Sequence, residues 1–305
     1  MGTPEFAIPS FHKIMSSHHS VVGVVTQPDK PRGRGKKLLP TPIKKVALDE
    51  GIDPILQPVK LSDPEFLHQL RTVDPDVFVV VAFRILPEIV LGIPEITSIN
   101  LHPSLLPKYR GAAPINWTLI NGEKETGVTI IEITRKVDAG KILMQQKVKI
   151  SAEETAGSLH DRLSRVGAEM LVMVLDQIEQ DRLQKVDQDD RLATPAPKLT
   201  RELCHLSFRQ PADKVKNRIH GLSPYPGAFA FLNTQMIKFY RARVVDLTDE
   251  SVPPGTIISA EGGQLVVACQ PGQVEILELQ LQGKRVLTAA EFLRGRHLKA
   301  GDQFS

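Results

Sequence analysis

The chain has 305 residues, is 41% hydrophobic and 24% charged, and carries a formal net charge of +3. That length suits roughly two domains, and the composition excludes a fibrous or disordered protein. No apolar run approaches the roughly 20 residues that cross a bilayer as a helix.

Thr3-Pro4-Glu5, followed by Phe6, Ile8, Phe11, Ile14 and Met15, reads as a helix with Thr3 as N-cap and Pro4 in the first turn. Val21–Val25 is a β-branched run that predicts a buried parallel strand. Residues 41–50 read as helix, 52–56 as extended, and 62–71 as helix with Ser62 and Pro64 as start signals. Val77–Ala82 is a second buried strand, Pro87–Leu91 a short helix and Ser98–Leu101 a third strand. Two longer strands follow at Val128–Ile133 and Ile142–Ile150, then a long amphipathic helix over Thr155–Gln180. Alternating strands and helices predict a doubly wound, mostly parallel α/β sheet. The first domain covers residues 1–181. Residues 182–200 are polar and proline-bearing and read as a linker. In 201–305 a short helix (Phe208–Ile219) precedes strands at Ala228–Leu232, Gln235–Val245, Gly255–Ala260, Gln264–Ala268 and Val274–Leu281. That spacing predicts a small β-barrel.

Charge is concentrated between the first strand and the next helix. Residues 28–45 hold seven cations (Lys30, Arg32, Arg34, Lys36, Lys37, Lys44 and Lys45) against Asp29. A basic loop on a domain that is otherwise acidic is placed to meet a local polyanion, although a solvated surface loop has the same composition. Gly33-Arg34-Gly35-Lys36-Lys37 does not fit a P-loop, because Leu38 stands where Ser or Thr is needed.

The densest candidate site is Asn100-Leu101-His102-Pro103-Ser104-Leu105-Leu106-Pro107. In an extended stretch Asn100 and His102 face the same side. An amide can donate to a developing oxyanion and an imidazole can move a proton, so the pair suits acyl transfer. Asp138-Ala139-Gly140 is either an ordinary turn or a carboxylate that orients the histidine and stabilises its cation. Cys204 and Cys269 are too few and too far apart for a disulfide framework. Two reduced thiols are expected, with the cytoplasm as compartment. Met1–Phe6 shows no signal-peptide pattern. His18-His19 reads as a helix-end or surface pair, Cys204-His205 as a poor chelating pair, and Trp117 as a packing residue.

The string from Asn100 to Pro114, together with Gly2–Ala7, Thr26–Asp29, Asn121-Gly122, Glu125–Thr129 and Asp138–Gly140, resembles the folate-dependent formyltransferase family in content and order. The resemblance implies a Rossmann-like first domain and an OB-like barrel in the second. It implies that Asn100, His102 and Asp138 are catalytic and that Ser104, Leu105, Leu106 and Pro107 line a tetrahydrofolate site. 10-Formyltetrahydrofolate is then the donor cosubstrate, no metal is implied, and a monomer is expected. The basic loop and the second domain resemble the branch of the family that formylates the α-amine of methionyl initiator tRNA for translation initiation. Arg32, Arg34, Lys36 and Lys37 would then meet the tRNA. A relative acting on a small amine, such as an amino sugar nucleotide, and a non-catalytic RNA-binding relative share parts of this pattern. Two departures stand out. Relatives carry a short apolar strand before Gly2-Thr3-Pro4, so a sheet without its first strand, of poor stability or activity, is expected here. Arg84 also stands in a loop where relatives often have glycine.

Overall fold

Start signals set the helices and β-branched runs set the strands of this chain. The computed structural model describes residues 1–32, 37–245, 252–295 and 298–305. The order begins α1 (Ile8–Met15), β1 (Val24–Val25), β2 (Lys30–Arg32), β3 (Lys37–Leu39), α2 (Pro42–Asp49), β4 (Ile55–Leu56), α3 (Pro64–Thr72) and β5 (Val77–Val80). It continues through α4 (Glu88–Leu91), β6 (Thr97–His102), β7 (Arg110–Gly111), α5 (Pro114–Ile120), β8 (Glu125–Glu132), β9 (Ile142–Lys149), α6 (Ala156–Glu179) and β10 (Pro195–Ala196). Last come α7 (Arg201–Cys204), α8 (Ala212–Gly221), β11 (Ala228–Leu232), β12 (Gln235–Val245), β13 (Ile257–Ser259), β14 (Leu265–Ala268), β15 (Gln273–Leu281), β16 (Leu287–Thr288) and α9 (Ala289–Arg294). Two units interleave along the chain: Met1–Gly111, Thr126–Val148 and His160–Pro195 form one, and Ala112–Glu125, Lys149–Leu159 and Ala196–Ser305 the other.

In the first unit, β1 pairs with β4 and β5 with β6, both parallel, whereas β6 pairs with β8 antiparallel. The sheet β5-β6-β8-β9 is therefore mixed rather than mostly parallel. Val25, Phe66, Leu67, Leu70, Phe78, Val80 and Val90 pack into one core beneath it. Thr41 caps α2 by accepting the Lys44 N–H at 3.2 Å. Asp63, not Ser62, caps α3 by accepting the Glu65 N–H at 3.0 Å. Thr3 caps nothing: a short 3-10 turn over Glu5–Ala7 comes first, and Pro9 lies in the first turn of α1. The Val21–Val25 run narrows to two ladder residues. Val21, Val22 and Gly23 instead line a cavity of about 440 Å³ together with Val77, Phe78 and Val79. Met1 and Gly2 bridge β1 and β5 there. The Gly2 N–H donates to the Val25 carbonyl at 3.0 Å, and the Val81 N–H to the Met1 carbonyl at 2.9 Å.

In the second unit, β11-β12-β15-β14-β13 form a curled antiparallel sheet, and β16 pairs with β15. Register shifts between Phe239 and Ala242 bend β12. The last residues bond to both edge strands. Phe231 and Ser305 exchange two backbone hydrogen bonds, and the Ile257 N–H donates to the Asp302 carbonyl at 2.7 Å. Bridging the edges in this way removes a template for edge-to-edge pairing. Val215, Ile219 and Leu222 anchor α8 in the core with Phe239 and Phe304. Both thiols are free and buried, and burial pushes the Cys269 thiol up to about 12.

His220 is a further buried titratable group of this unit, 1% exposed. Its ring nitrogens lie 3.1 Å from the Glu154 carbonyl and 2.9 Å from that of Ala242. Burial, aided by the nearby Lys216 charge, pushes it from 6.5 down to about 4. The folded ring therefore stays neutral in a range where the unfolded ring binds a proton. Its contribution is fully present above about 6.5 and is lost as pH falls towards about 4. Denaturant unfolding across that window is expected to show a falling stability that His220→Gln flattens.

Candidate active site

The ladder fixes the first two site residues. On β6, Asn100 pairs with Val80 of β5 and Ile131 of β8, and His102 pairs with Thr129 of β8. Ile99 and Leu101 point the other way and are buried, with Leu101 against Gly167 of α6. A side chain at position 167 would overlap Leu101. Asn100 and His102 therefore share the opposite face. They sit towards the carboxyl end of β6, at the edge where the parallel pair β5 and β6 both deliver the chain into loops, the usual place for ligands in such sheets.

His102 is 4% exposed. Its Nε2 lies 2.9 Å from the Tyr109 carbonyl, which can only accept, so the ring proton belongs on Nε2. The other nitrogen, Nδ1, faces Asp138 Oδ2 at 3.7 Å, too long for a hydrogen bond but within ion-pair reach. Tyr109 presents its carbonyl from a left-handed conformation (φ +62°), held by its N–H on Thr194 Oγ1 at 2.9 Å. Asn100 is half-buried, and its side-chain amide has no hydrogen-bond partner among the described residues.

Asp138 is brought in by the loop between β8 and β9. It also adopts a left-handed conformation (φ +52°), which aspartate tolerates better than most residues. Its Oδ2 accepts the Gly111 N–H at 2.9 Å. Gln188 clamps the loop from outside, donating to the carbonyls of Asp138 at 2.9 Å and Gly140 at 2.7 Å. Its own oxygen accepts two bonds from Arg110, at 3.1 and 2.7 Å. Arg110 in turn pairs with Asp190 at 2.7 Å. The structure thus brings Asn100, His102 and Asp138 into one unit, with the latter two in direct apposition. Gln188 lies in the stretch that reads as a linker, and no sequence signal marks its role.

The segment after His102 is tied to β8 and β9. Thr129 Oγ1 donates to the Ser104 carbonyl at 2.6 Å and accepts from the Leu106 N–H at 3.2 Å and from Gln145 at 2.8 Å. The Ser104 hydroxyl is fully buried and donates to the Lys108 carbonyl at 2.6 Å. Leu106 is buried, Leu105 and Pro107 are half-buried, and the Leu106–Pro107 bond is cis. Leu105 lies against Gly127, where any side chain would overlap it.

The basic loop forms an antiparallel pair, β2 with β3, that sets Arg32 opposite Lys37. Arg34 and Lys36 lie outside the described residues. Lys44 is taken up locally by Asp29 at 2.7 Å, which holds that carboxyl below the usual carboxylate range. Arg84 is also engaged: it donates to the carbonyls of Pro58 at 2.7 Å and Val59 at 2.9 Å and lies over the Phe83 ring. Trp117 packs against the second unit's core and donates to the Pro197 carbonyl at 2.7 Å. His205 stacks on Phe229.

Residues 1–175 match the family model for formyl transferase, and residues 198–297 that for the formyl transferase C-terminal domain. The chain is 45% identical over 302 residues to the methionyl-tRNA formyltransferase of Citrifermentans bemidjiense, covering 99% of this chain and 94% of that one. It is 42% identical over 303 residues to the enzyme of the same name from Caldanaerobacter subterraneus subsp. tengcongensis, covering 99% and 97%. Its fold is similar to that of WlaRD, a sugar 3N-formyl transferase solved in the presence of dTDP and 5-N-formyl-THF. The TM-score is 0.67 at 20% identity, over 93% of this chain and 97% of that one. It is also similar to an N-formyltransferase from Helicobacter canadensis in complex with folinic acid and dTDP-3-aminofucose. There the TM-score is 0.68 at 17% identity, over 90% and 96%. Matched in both its N-terminal and C-terminal parts and closely similar to relatives along nearly its whole length, the chain belongs to the formyl transferase family.

Proposed function

We infer that this chain moves a formyl group from 10-formyltetrahydrofolate to the α-amine of methionyl initiator tRNA, in the cytoplasm and as a monomer. The observation that carries the chemistry is the apposition of His102 and Asp138, 3.7 Å apart, on the loop edge that also bears Asn100. Asn100 has an amide without a partner among the described residues, which fits a carbonyl oxygen that gains charge as the amine attacks. With Nε2 held by Tyr109, His102 has Nδ1 to take the proton that the amine releases. Asp138 then pairs with the new cation. The same proton passes to the folate nitrogen as its bond to the formyl carbon breaks, so the ring returns to its starting state. Leu105, Leu106 and Pro107 offer the folate an apolar wall, while Ser104 holds that wall in shape.

The identity to full-length relatives named for methionyl-tRNA supports the acceptor. Within that reading the first domain, residues 1–181, is a Rossmann-like catalytic domain, and 182–200 link it to an OB-like barrel in 201–305 that grips the tRNA. Arg32, Arg34, Lys36 and Lys37 contact the acceptor stem. Lys44 is left out, because Asp29 already neutralises it. Such a grip weakens steeply as salt rises.

The test offers purified full chain a labelled formyl donor and either Met-tRNA or free amines, amino sugar nucleotides included. Label on Met-tRNA supports the reading. Label on a small amine alone, or on neither acceptor, overturns it.

A further inference from the structure

We propose that His18, His19, Asp176 and Glu179 form a binding site for one zinc-class divalent cation, apart from the formyl-transfer chemistry. The two histidines are adjacent in sequence, yet their rings lie side by side, with centroids 4.1 Å apart. In a strand or helix neighbours diverge, so this needs the tight turn that ends α1. The Ser17 hydroxyl sets that turn. It donates to the Ile14 carbonyl at 2.6 Å and accepts the His19 N–H at 3.2 Å. The carboxylates come from the last turn of α6, three residues apart and hence on one face. A helix carboxyl end also favours a nearby cation.

Three of the donor groups, His18, His19 and Glu179, already cluster, and Asp176 lies beside both rings. His18 Nε2 lies 2.8 Å from Glu179 Oε2 and 3.8 Å from Asp176 Oδ1. His19 Nε2 lies 2.8 Å from the same Asp176 oxygen. Ligand atoms of His18, His19 and Glu179 all fall within 4.8 Å of one another. A tetrahedral zinc ion holds nitrogen and oxygen donors at about 2.0–2.2 Å, which sets donor-to-donor edges of about 3.3–3.6 Å. The ring-to-carboxylate separations of 2.8–3.8 Å straddle those edges, and bringing Asp176 and Glu179 onto one ion needs further side-chain rotation. Two imidazoles with two carboxylates suit zinc, cobalt or nickel better than calcium or magnesium, which favour oxygen alone. On binding, the metal replaces the ring proton at each Nε2, and that proton moves to Nδ1. His19 is 17% exposed and His18 61%, so one side of the site is sheltered and the other open to metal exchange.

Cobalt(II) is the probe, because its visible spectrum reports coordination directly. Full chain freed of metal with a chelator is titrated with cobalt(II), then with zinc(II) in competition, and thermal unfolding is followed with and without zinc. The expected result is one equivalent of cobalt in a tetrahedral-type spectrum, displaced by zinc, and a raised unfolding midpoint. His18→Ala and His19→Ala should each weaken binding by more than the roughly 10–100-fold typical of outer-shell changes. His68→Ala, elsewhere on the surface, should leave binding as it is. Metal-free unfolding of each variant shows that it is folded. No stoichiometric binding, or binding that survives both histidine substitutions, overturns the proposal.

Discussion

Replacing His102 by alanine is expected to slow formyl transfer by about 10²–10⁴-fold, the range for a positioned acid–base group, while Met-tRNA binding persists. The ring is not a loose surface group. It is 4% exposed, with one nitrogen on the Tyr109 carbonyl and the other facing Asp138. Alanine removes the proton acceptor and leaves the Tyr109 carbonyl and the Asp138 carboxylate without it. His102→Asn separates these effects, because an amide can still donate to Tyr109 but cannot carry a proton at neutral pH. Single-turnover rates of both variants should fall together. A His102→Asn enzyme with near-normal turnover would reduce the histidine to a strut.

The second large effect is expected from a residue that touches no substrate. Gly140→Ala places a methyl group on the carbonyl oxygen of Glu132. That oxygen belongs to the backbone at the end of β8, where the Glu132 N–H also donates to the Lys141 carbonyl at 3.0 Å. The strand cannot yield cheaply, so the loop must move. Overpacking of this kind typically costs about 1–3 kcal/mol. The functional cost is larger, because Asp138 lies two residues away and its approach to His102 depends on the same loop. Gln188 grips the Asp138 and Gly140 carbonyls together, so a shift at one is passed to the other. Transfer should fall by more than the stability loss explains, and Gln188→Ala should produce a milder version. Unfolding midpoints measured beside rates separate the two contributions. An active Gly140→Ala enzyme of normal stability would contradict the loop geometry.

Much of this architecture is legible in the sequence, and what is not has physical reasons. β11 and β12 take the predicted bounds, because both flank an Asn233 turn in the left-handed region and are rich in apolar and aromatic residues. β6 is legible as a strand, and that alone puts Asn100 and His102 on one face. Asp138 is legible only through family resemblance, since its approach to His102 is made by a loop whose shape depends on Gly140 and Gln188. Gln188 itself is silent in sequence, because nothing local marks an amide that serves residues 48 and 50 positions away. The mixed sheet is silent for a similar reason, since strand direction is decided by the connection and not by the run of apolar residues. The His18-His19 pair reads as a surface feature until α6 supplies Asp176 and Glu179 from far along the chain. α9 is not among the expected elements, although Thr288-Ala289-Ala290-Glu291 has the spacing of a capping box, and the structure shows that box in full.

Asn100 gives the sharpest measurement of whether these three side chains act on the transferred carbonyl. Single-turnover transfer by Asn100→Ala, at saturating formyl donor and Met-tRNA, should fall by about 10²–10³-fold, the loss typical of one oxyanion donor. Affinity for both substrates should be unchanged, since the amide acts on charge that develops only during reaction. A variant that turns over at the parent rate would mean that the amide faces no reacting oxygen, and the arrangement around His102 would need another purpose.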